Sequence, residues 1–314
     1  MNILVVSYDA GGSEIISAYI KKKLSKNNYL CVVGGPAVNI FKKRGLDKNI
    51  IGGFNNNPKG FFEKYNKIDL ILAGVGWVSD MSMNFLEEAK KRNIKTAVYL
   101  DHWVDYRERF GYPRIDWKKK ISDEIWVGDK DAFKIAKKQF LREKIRLVPN
   151  EFFKEIKLVY KKFVAQNKIE NKHNILFLSE PISEGGINIF GDKDDSRRDE
   201  HYILDKLLAY FSDQKEKRAF IIRFHPSDRH HKYDAILSKY KNNLTILKSE
   251  NSNLFVDISE ADLIIGIETM ALAVAVLCGK SKVVSFIPDE SIVCPVPFKI
   301  IKKIKKVEDL AKIG

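Results

Sequence analysis

Short apolar runs alternate with segments of helical periodicity along the first half of this chain. We predict strands at Ile3–Ser7, Leu30–Val33, Leu70–Ala73, Thr96–Leu100, Glu124–Val127 and Ile145–Val148. Helical patterns lie between them, at Ser13–Leu24, Val38–Lys43, Lys59–Tyr65, Met83–Arg92 and Asp131–Lys138. Strands that are apolar on both faces and alternate with helices are typical of a doubly wound parallel sheet.

The same alternation resumes after a polar, lysine-rich stretch. The second set of predicted strands is Asn174–Leu178, Phe220–Phe224, Leu244–Leu247, Leu263–Ile265 and Lys282–Phe286. The second set of predicted helices is Glu200–Phe211, Lys232–Tyr240, Leu254–Ser259, Met270–Cys278 and Val307–Ile313. We therefore predict an α/β fold with two doubly wound parallel-sheet domains facing a cleft: residues 1–155, a linker over 156–173, and residues 174–314. The long polar loop Gly185–Arg198 is a candidate binding loop.

Composition and charge narrow the class of protein. The 314 residues carry a net charge of +14, mostly as scattered lysines interleaved with acidic residues. Such lysines are either solvated helix faces or a surface for an anionic substrate or anionic lipid. No nucleic-acid-reading motif accompanies them, so we do not expect a nucleic-acid partner.

The cysteines and the hydropathy of the chain indicate the cellular compartment in which the protein is expected. The three cysteines, Cys31, Cys278 and Cys294, are too few and too widely spaced for a disulfide framework or a zinc site. No secretory pattern and no apolar run of membrane-spanning length is present. We expect a cytoplasmic protein, with the inner face of the membrane as an alternative location, and leave its oligomeric state open.

Familiar cofactor motifs are missing where the pattern would require them. Asp9-Ala10-Gly11-Gly12-Ser13 follows the first strand but does not match the dinucleotide fingerprint. Gly279-Lys280-Ser281 resembles the end of a phosphate-binding P-loop, but it lies between a helix and a strand, the reverse of the required order. Asp192 and Asp194 form a lone Asp-x-Asp pattern in a charged loop. We therefore expect no metal and no cofactor.

Three strand ends in the second half carry the chemistry of an anion site. One strand runs into Arg223-Phe224-His225-Pro226-Ser227, which combines a permanent cation, an imidazole and a hydroxyl. A second strand is followed by Ser179-Glu180-Pro181, and a third by Glu268-Thr269-Met270 at the start of an apolar helix. Phosphate binds readily at helix N-termini, and ligands lie at the carboxyl ends of parallel strands. The alternatives are a structural turn at His225-Pro226 and simple helix capping by Thr269.

The first half offers candidates for proton transfer and for binding a second substrate. Asp9 or Asp101 is a candidate general base, which His102 would assist. Candidate binding residues follow the strands before these two aspartates and the strand Leu70–Ala73: Gly11, Gly12, Gly76, Trp77, Trp103, Tyr106 and Arg107. The alternative for the aromatic loop is structural, with Trp103, Tyr106 and Phe110 filling a satellite core.

These motifs resemble a known class of enzymes. Two Rossmann-like domains with a linker and a returning terminal helix resemble the GT-B glycosyltransferases. The element from Arg223 to Ser227 is similar to one in bacterial transferases that use CMP-activated acidic sugars of the Kdo and sialic-acid type. Ser179-Glu180-Pro181 resembles a second motif there, although a glutamine often precedes the proline in those families. Ile267–Ala273, continued by Gly279–Ser285, resembles the GT-B nucleotide lobe, and Asp101–Phe110 resembles loops of polysaccharide-biosynthesis proteins.

The resemblance implies a metal-independent glycosyltransferase of surface-polysaccharide or glycoconjugate biosynthesis. It would transfer an acidic sugar from a nucleotide donor, a CMP-sugar, to a glycan or lipid-linked acceptor, with peripheral contact to an anionic membrane as a further expectation. UDP-sugar enzymes of this class often carry a second Glu eight residues after the first, where this chain has Val276. The alternatives are a nucleotide-sugar hydrolase or epimerase, and a non-catalytic nucleotide- or glycan-binding module.

Overall fold

A computed structural model of the protein describes residues 1–76, 78–167, 172–183, 199–216, 218–226 and 228–313. Two of the predicted site residues, Trp77 and Ser227, lie outside these ranges, as does the whole of the predicted loop at 185–198, including both aspartates of the Asp-x-Asp pattern. The chain divides into two compact units, Met1–Lys154 and Glu155–Gly314. Within the described ranges, every helix is too short or too polar to span a lipid bilayer.

The N-terminal unit contains a parallel sheet of six strands among the described residues. The strands are β1 (Asn2–Ser7), β2 (Asn28–Val33), β3 (Leu70–Gly74), β4 (Lys95–Leu100), β5 (Glu124–Val127) and β6 (Lys144–Leu147), in the order β2-β1-β3-β4-β5-β6. The helices are α1 (Ala10–Lys23), α2 (Pro36–Lys43), α3 (Pro58–Lys64), α4 (Met81–Lys91), α5 (Trp117–Lys120) and α6 (Lys130–Gln139). Strands β1, β3, β4 and β5 are buried at nearly every position, which agrees with the predicted doubly wound sheet.

The C-terminal unit repeats this architecture. Its described strands are β7 (Asn174–Leu178), β8 (Phe220–Arg223), β9 (Ile246–Lys248), β10 (Ala261–Gly266), β11 (Val283–Phe286) and β12 (Lys302–Ile304), all parallel, in the order β12-β11-β10-β7-β8-β9. The helices are α7 (Glu151–Asn167), which begins in the N-terminal unit, α8 (Glu200–Ser212), α9 (Asp234–Tyr240), α10 (Leu254–Glu260) and α11 (Met270–Leu277). The order places the ends of β8, β7 and β10 next to one another.

The structure differs from or adds to the sequence expectations at several elements, among them the short helix α5, which was not predicted. Helix α7 covers most of the segment predicted as a linker, in which a helix was one of the expected alternatives. The chain ends in a 3₁₀-helix, Val307–Lys312, where an α-helix was predicted. Strand β12 was not predicted, because its two exposed lysines interrupt the apolar pattern, as is common for an edge strand.

Local sequence explains where the helices over the sheets begin. The Asp129 side chain accepts hydrogen bonds from the N–H groups of Asp131 and Ala132 at the start of α6, as an N-cap does. Thr269 caps α11 in the same way by accepting from Ala271 N–H. At the start of α1, Gly12 lies so close to β3 that a Cβ would be 3.4 Å from Gly74 Cα. These contacts bring the first turns of the helices to the carboxyl edges of the strands.

Candidate functional site

In the N-terminal unit, the ends of three adjacent strands bring two predicted acids against glycine backbone. Asp9 follows β1, and its Oδ2 lies only 1.4 Å from where a Cβ on Gly76 would stand, just after β3. Asp101 follows β4, and its Oδ2 lies 2.1 Å from the Cβ position of Gly11 in α1. A side chain at either glycine would displace the carboxylate. The predicted residues Asp9, Gly11, Gly76 and Asp101 therefore form one cluster, which we call the acidic cluster.

An arginine that was not among the predicted site residues fixes one side of this cluster. Arg109 Nη1 lies 2.5 Å from Asp101 Oδ1 and also donates to the carbonyl of Val75 at 2.9 Å. Both side chains of the ion pair are mostly buried, with 8% and 14% exposed. The arginine therefore joins the ends of β3 and β4, and it holds Asp101 in place.

The aromatic residues of the loop after β4 belong to the core. Trp103, Tyr106 and Phe110 are 3%, 0% and 1% exposed, respectively. The Trp103 indole N–H donates to Asp129 Oδ2 at 2.9 Å, and burial raises the pKa of the Tyr106 phenol. The expectation that Trp103 and Tyr106 bind an acceptor is therefore corrected: their rings are enclosed by protein, and the structural alternative holds.

The remaining predicted residues of this unit have mixed surroundings. Gly12 is buried against Gly74 and packs a helix onto the sheet, so it is not available to a ligand. The Arg107 guanidinium lies over the Tyr112 ring at 4.5 Å. His102 is partly buried, with its ring 5.4 Å from that of Trp103. Only His102 and Arg107 of these residues reach the surface.

In the C-terminal unit, Arg223 forms an ion pair with a buried residue of the same unit. Its Nη1 lies 2.5 Å from Asp257 Oδ2 and donates to the carbonyl of Asn251 at 2.9 Å. The Asp257 side chain is 2% exposed and also accepts from the Ser249 hydroxyl at 2.7 Å. The expectation that Arg223 binds phosphate is corrected, because a buried carboxylate already neutralises this guanidinium.

His225 lies just beyond the end of β8 in a turn closed by Asp228. The His225 N–H donates to Asp228 Oδ2 at 2.8 Å, and the Asp228 N–H donates to the His225 carbonyl at 2.9 Å. Burial lowers the pKa of the His225 imidazole from its ordinary value of 6.5; the positive charge of Lys232 acts in the same direction and Asp228 opposes it. The ring is therefore mainly neutral at neutral pH, while Pro226 beside it is exposed.

The other two predicted motifs of this unit contact each other directly. Glu180 follows β7, and its Oε2 accepts a hydrogen bond from the main-chain N–H of Glu268, after β10, at 2.9 Å. Thr269 is buried and caps α11, and Met270 is the first residue of that helix. The capping alternative therefore holds for Thr269. The Glu268 N–H, which was predicted to hold phosphate, is engaged by a carboxylate.

Ser179 has a structural position, at the centre of a buried hydrogen-bond network. It is 4% exposed, and its hydroxyl lies 2.5 Å from both Asp228 Oδ2 and the Tyr233 hydroxyl. The expectation that Ser179 contacts a nucleotide is corrected for that reason. Pro181 follows Glu180 and is partly buried.

The sequence analysis missed the buried ions beneath these motifs. Lys232 Nζ lies 2.7 Å from Asp228 Oδ1 and 2.7 Å from Glu200 Oε1, and the three side chains are at most 1% exposed. Asp228 and Lys232 are four residues apart, which is the one signal that could have revealed the pair. In the sequence the pair is hidden by the polar run Arg229-His230-His231 between its two members.

One group of potential metal ligands is present among the described residues. Single ligand atoms of Asp199, Glu200 and His201 all lie within 4.8 Å of one another. Glu200, however, already accepts hydrogen bonds from Ser183 and pairs with Lys232, and His201 Nδ1 lies 2.9 Å from Asp199 Oδ1. These side chains satisfy one another, so the group gives no independent indication of a metal.

Comparison with solved structures identifies the fold. No protein-family model matches the chain, and no curated protein matches it in sequence. A UDP-GlcNAc 2-epimerase from Neisseria meningitidis, solved with UDP-GlcNAc bound, matches with a TM-score of 0.63 at 10% identity, over 99% of this chain and 90% of that chain. A putative UDP-N-acetylglucosamine 2-epimerase from Listeria monocytogenes matches with a TM-score of 0.63 at 11% identity, over 99% and 86%.

A glycosyltransferase matches as well. The E. coli ADP-heptose LPS heptosyltransferase II has a TM-score of 0.50 at 13% identity, over 100% of this chain and 98% of that chain. Together with the two parallel sheets, these matches show that the chain has the two-domain, Rossmann-like GT-B fold. This confirms the predicted α/β fold class with two parallel-sheet domains.

Proposed function

We propose that this chain is a metal-independent glycosyltransferase that uses a nucleotide sugar. The observation that carries the proposal is the meeting of His225, the Glu180–Glu268 contact and the start of α11 at the adjacent ends of β8, β7 and β10. Parallel α/β sheets bind ligands at this edge, and a helix N-terminus there attracts phosphate. His225 is the polar side chain of this edge to which we assign contact with the phosphate.

The donor would be a CMP-linked acidic sugar. The support is the resemblance of the His225-Pro226 element to transferases of that type. Two structures with the same fold are described as UDP-GlcNAc 2-epimerases, so UDP is the nucleotide against which CMP must be compared. As the bond to the sugar breaks, His225 would donate a hydrogen bond to the leaving phosphate, and donors of this kind typically account for about 10²–10³ in rate.

The acidic cluster of the N-terminal unit would bind and activate the acceptor, a glycan or a lipid-linked glycan. Asp101 is held by Arg109, so we assign it a positioning task and assign the general base to Asp9. Asp9 would take the proton of the attacking hydroxyl as the new glycosidic bond forms. The net charge of +14 would favour an acidic donor and an acceptor held at an anionic membrane.

The direct test is turnover of CMP- and UDP-sugars by the purified protein with and without a glycolipid extract as acceptor. A transferase releases nucleotide only with the extract and moves labelled sugar into it. Asp9→Asn should retain nucleotide binding and lose turnover by about 10²-fold or more. Nucleotide binding without turnover under any condition would leave only a binding module.

A hydrolase or epimerase is the second candidate, because two structures with the same fold are described as 2-epimerases. It predicts that donor is consumed, or its sugar inverted at one carbon, when no acceptor is present. That result would replace the transferase proposal while keeping the nucleotide site.

A further inference from the structure

Lys232 is a buried cation whose contacts tie together the candidate nucleotide site. Its side chain is 1% exposed, and three oxygen atoms lie close to its Nζ. These are Asp228 Oδ1 at 2.7 Å, Glu200 Oε1 at 2.7 Å and the carbonyl oxygen of Glu180 at 3.0 Å. The contacts with Asp228 and Glu180 are hydrogen bonds, and the contact with Glu200 is an ion pair.

Each of these partners belongs to a different segment. Asp228 closes the His225 turn after β8 through the His225 N–H at 2.8 Å. Glu180 follows β7, and its side chain reaches the Glu268 N–H after β10. Glu200 begins α8 and accepts from Ser183 N–H and hydroxyl at 2.9 and 2.7 Å. One ammonium group therefore connects the ends of β8 and β7 directly, and that of β10 through Glu180.

We infer that Lys232 is a positioning residue that sets the His225 turn and the Glu180–Glu268 contact for nucleotide binding. The inference rests on the proposed function only for the ligand. A buried ion pair by itself adds little stability compared with apolar packing, because desolvation offsets its Coulomb energy. Holding three turns in one register is a task that this lysine's geometry serves and that an apolar side chain could not.

The pKa of His225 reports on the position of its charged neighbours, which a measurement of stability does not. Lys232 lowers the pKa of the His225 imidazole and Asp228 raises it, on top of the effect of burial. Glu200, from α8, and Tyr233 also belong to this network. Removing Lys232 or Asp228 should therefore change the pKa of His225 in opposite directions.

The experiment is a proton NMR titration of His225 in the full chain, with its signal assigned by its loss in His225→Gln. We expect Lys232→Met to raise the pKa of His225 and Asp228→Asn to lower it. Kd for CMP and for UDP is measured on the same samples, and we expect the nucleotide that binds to do so at least about tenfold more weakly in Lys232→Met, since misplaced groups lose their geometry.

Two further variants separate positioning from loss of folding. Lys232→Met alone would leave the carboxylates of Asp228 and Glu200 buried without their cation. The double variant Glu200→Gln/Lys232→Met removes one of these two charges. It should therefore fold, and the pKa of His225 should be raised in it as in Lys232→Met. Arg218→Met breaks an ion pair with Asp262, whose carboxylate lies 3.1 Å from the guanidinium. Arg218 precedes β8 and Asp262 lies at the start of β10, so this pair is at the opposite edge of the sheet. It should leave the His225 pKa and nucleotide Kd unchanged.

An unchanged His225 pKa in the folded double variant and in Asp228→Asn would overturn the inference. So would a nucleotide Kd in the double variant equal to that of the native chain. If the native chain binds neither nucleotide, the proposed function fails, whereas the opposite pKa shifts would still support the positioning of His225.

Discussion

The carboxylate of Glu180 accepts a hydrogen bond from the main-chain N–H of Glu268, at 2.9 Å, across the ends of the neighbouring strands β7 and β10. The contact fixes the turn that leads into α11. It also places a negative charge beside the positive end of α11, which weakens the attraction of that end for an anion. A phosphate bound at this edge would therefore lie beside a carboxylate and be held by groups other than the Glu268 N–H.

Glu180→Gln should strengthen nucleotide binding. The amide oxygen can still accept from Glu268 N–H, while the charge that repels phosphate is removed. We expect the Kd of the bound nucleotide to fall about two- to fivefold, equivalent to ~0.4–1 kcal/mol. Isothermal titration measures it, with exposed Glu216→Gln, before β8, as the matched control. Weaker binding in Glu180→Gln would show that the charged carboxylate itself contacts the ligand.

Arg223→Met should destabilise the protein because it leaves the carboxylate of Asp257 buried without its cation. We expect a loss of about 2–4 kcal/mol in the free energy of unfolding, reduced by the hydrogen bond that Ser249 still donates. Lys239→Met is the control, because Lys239 pairs with Asp205 at the surface and should contribute less than about 1 kcal/mol.

The same denaturation series decides the role of Arg223. The double variant Arg223→Met/Asp257→Asn should recover much of the free energy of unfolding that is lost in Arg223→Met. A stability change below about 1 kcal/mol in Arg223→Met, together with loss of nucleotide binding, would instead restore a direct contact between this arginine and phosphate.

Gly76→Ala should reduce turnover by displacing the Asp9 carboxylate, whose Oδ2 and Cγ lie 1.4 and 2.4 Å from the new Cβ position. A shift of about 1 Å in a catalytic group can cost on the order of 10²-fold in rate. Gly52→Ala is the matched control in the same unit, since nothing lies within 4 Å of its Cβ position. Equal kcat values for both variants would remove Asp9 from the mechanism.

His225 should make stability depend on pH in the acidic range. Burial lowers its pKa below 6.5, so the unfolded chain binds more protons than the folded one between the two values. The contribution of His225 to the free energy of unfolding is present above about pH 6.5. It is lost as the pH falls from there through the lowered pKa of the folded state. Urea denaturation at pH 7.5 and pH 5 should show a larger loss for the native chain than for His225→Gln; equal losses would contradict the buried, neutral ring.

Short apolar runs made the two sheets predictable, because a strand covered on both faces needs apolar residues at every position. Strand β12 was missed because Lys302 and Lys303 are exposed at the sheet edge. The strand ends also indicated Asp9 and Asp101 as candidate site residues, because ligands lie at the carboxyl ends of parallel strands. What the pattern could not give was the order of strands, which decides which ends are adjacent.

Side-chain partners were the least predictable part of the site. Arg223 and Ser179 have the chemistry of ligand contacts, but Asp257 and Asp228 engage them. Trp103 and Tyr106 have the composition of a sugar-binding loop, but they are buried. The partners lie 26 to 49 residues away in sequence, so only the folded chain brings them together.

Nucleotide binding to the native chain and to His225→Ala tests the central claim most directly. Isothermal titration with CMP, UDP, GDP and ADP should show one preferred nucleotide, CMP, and His225→Ala should weaken its binding at least about tenfold, or ~1.4 kcal/mol. Absence of binding by all four nucleotides, or an unchanged Kd in His225→Ala, would contradict a nucleotide-sugar site at the ends of β7, β8 and β10.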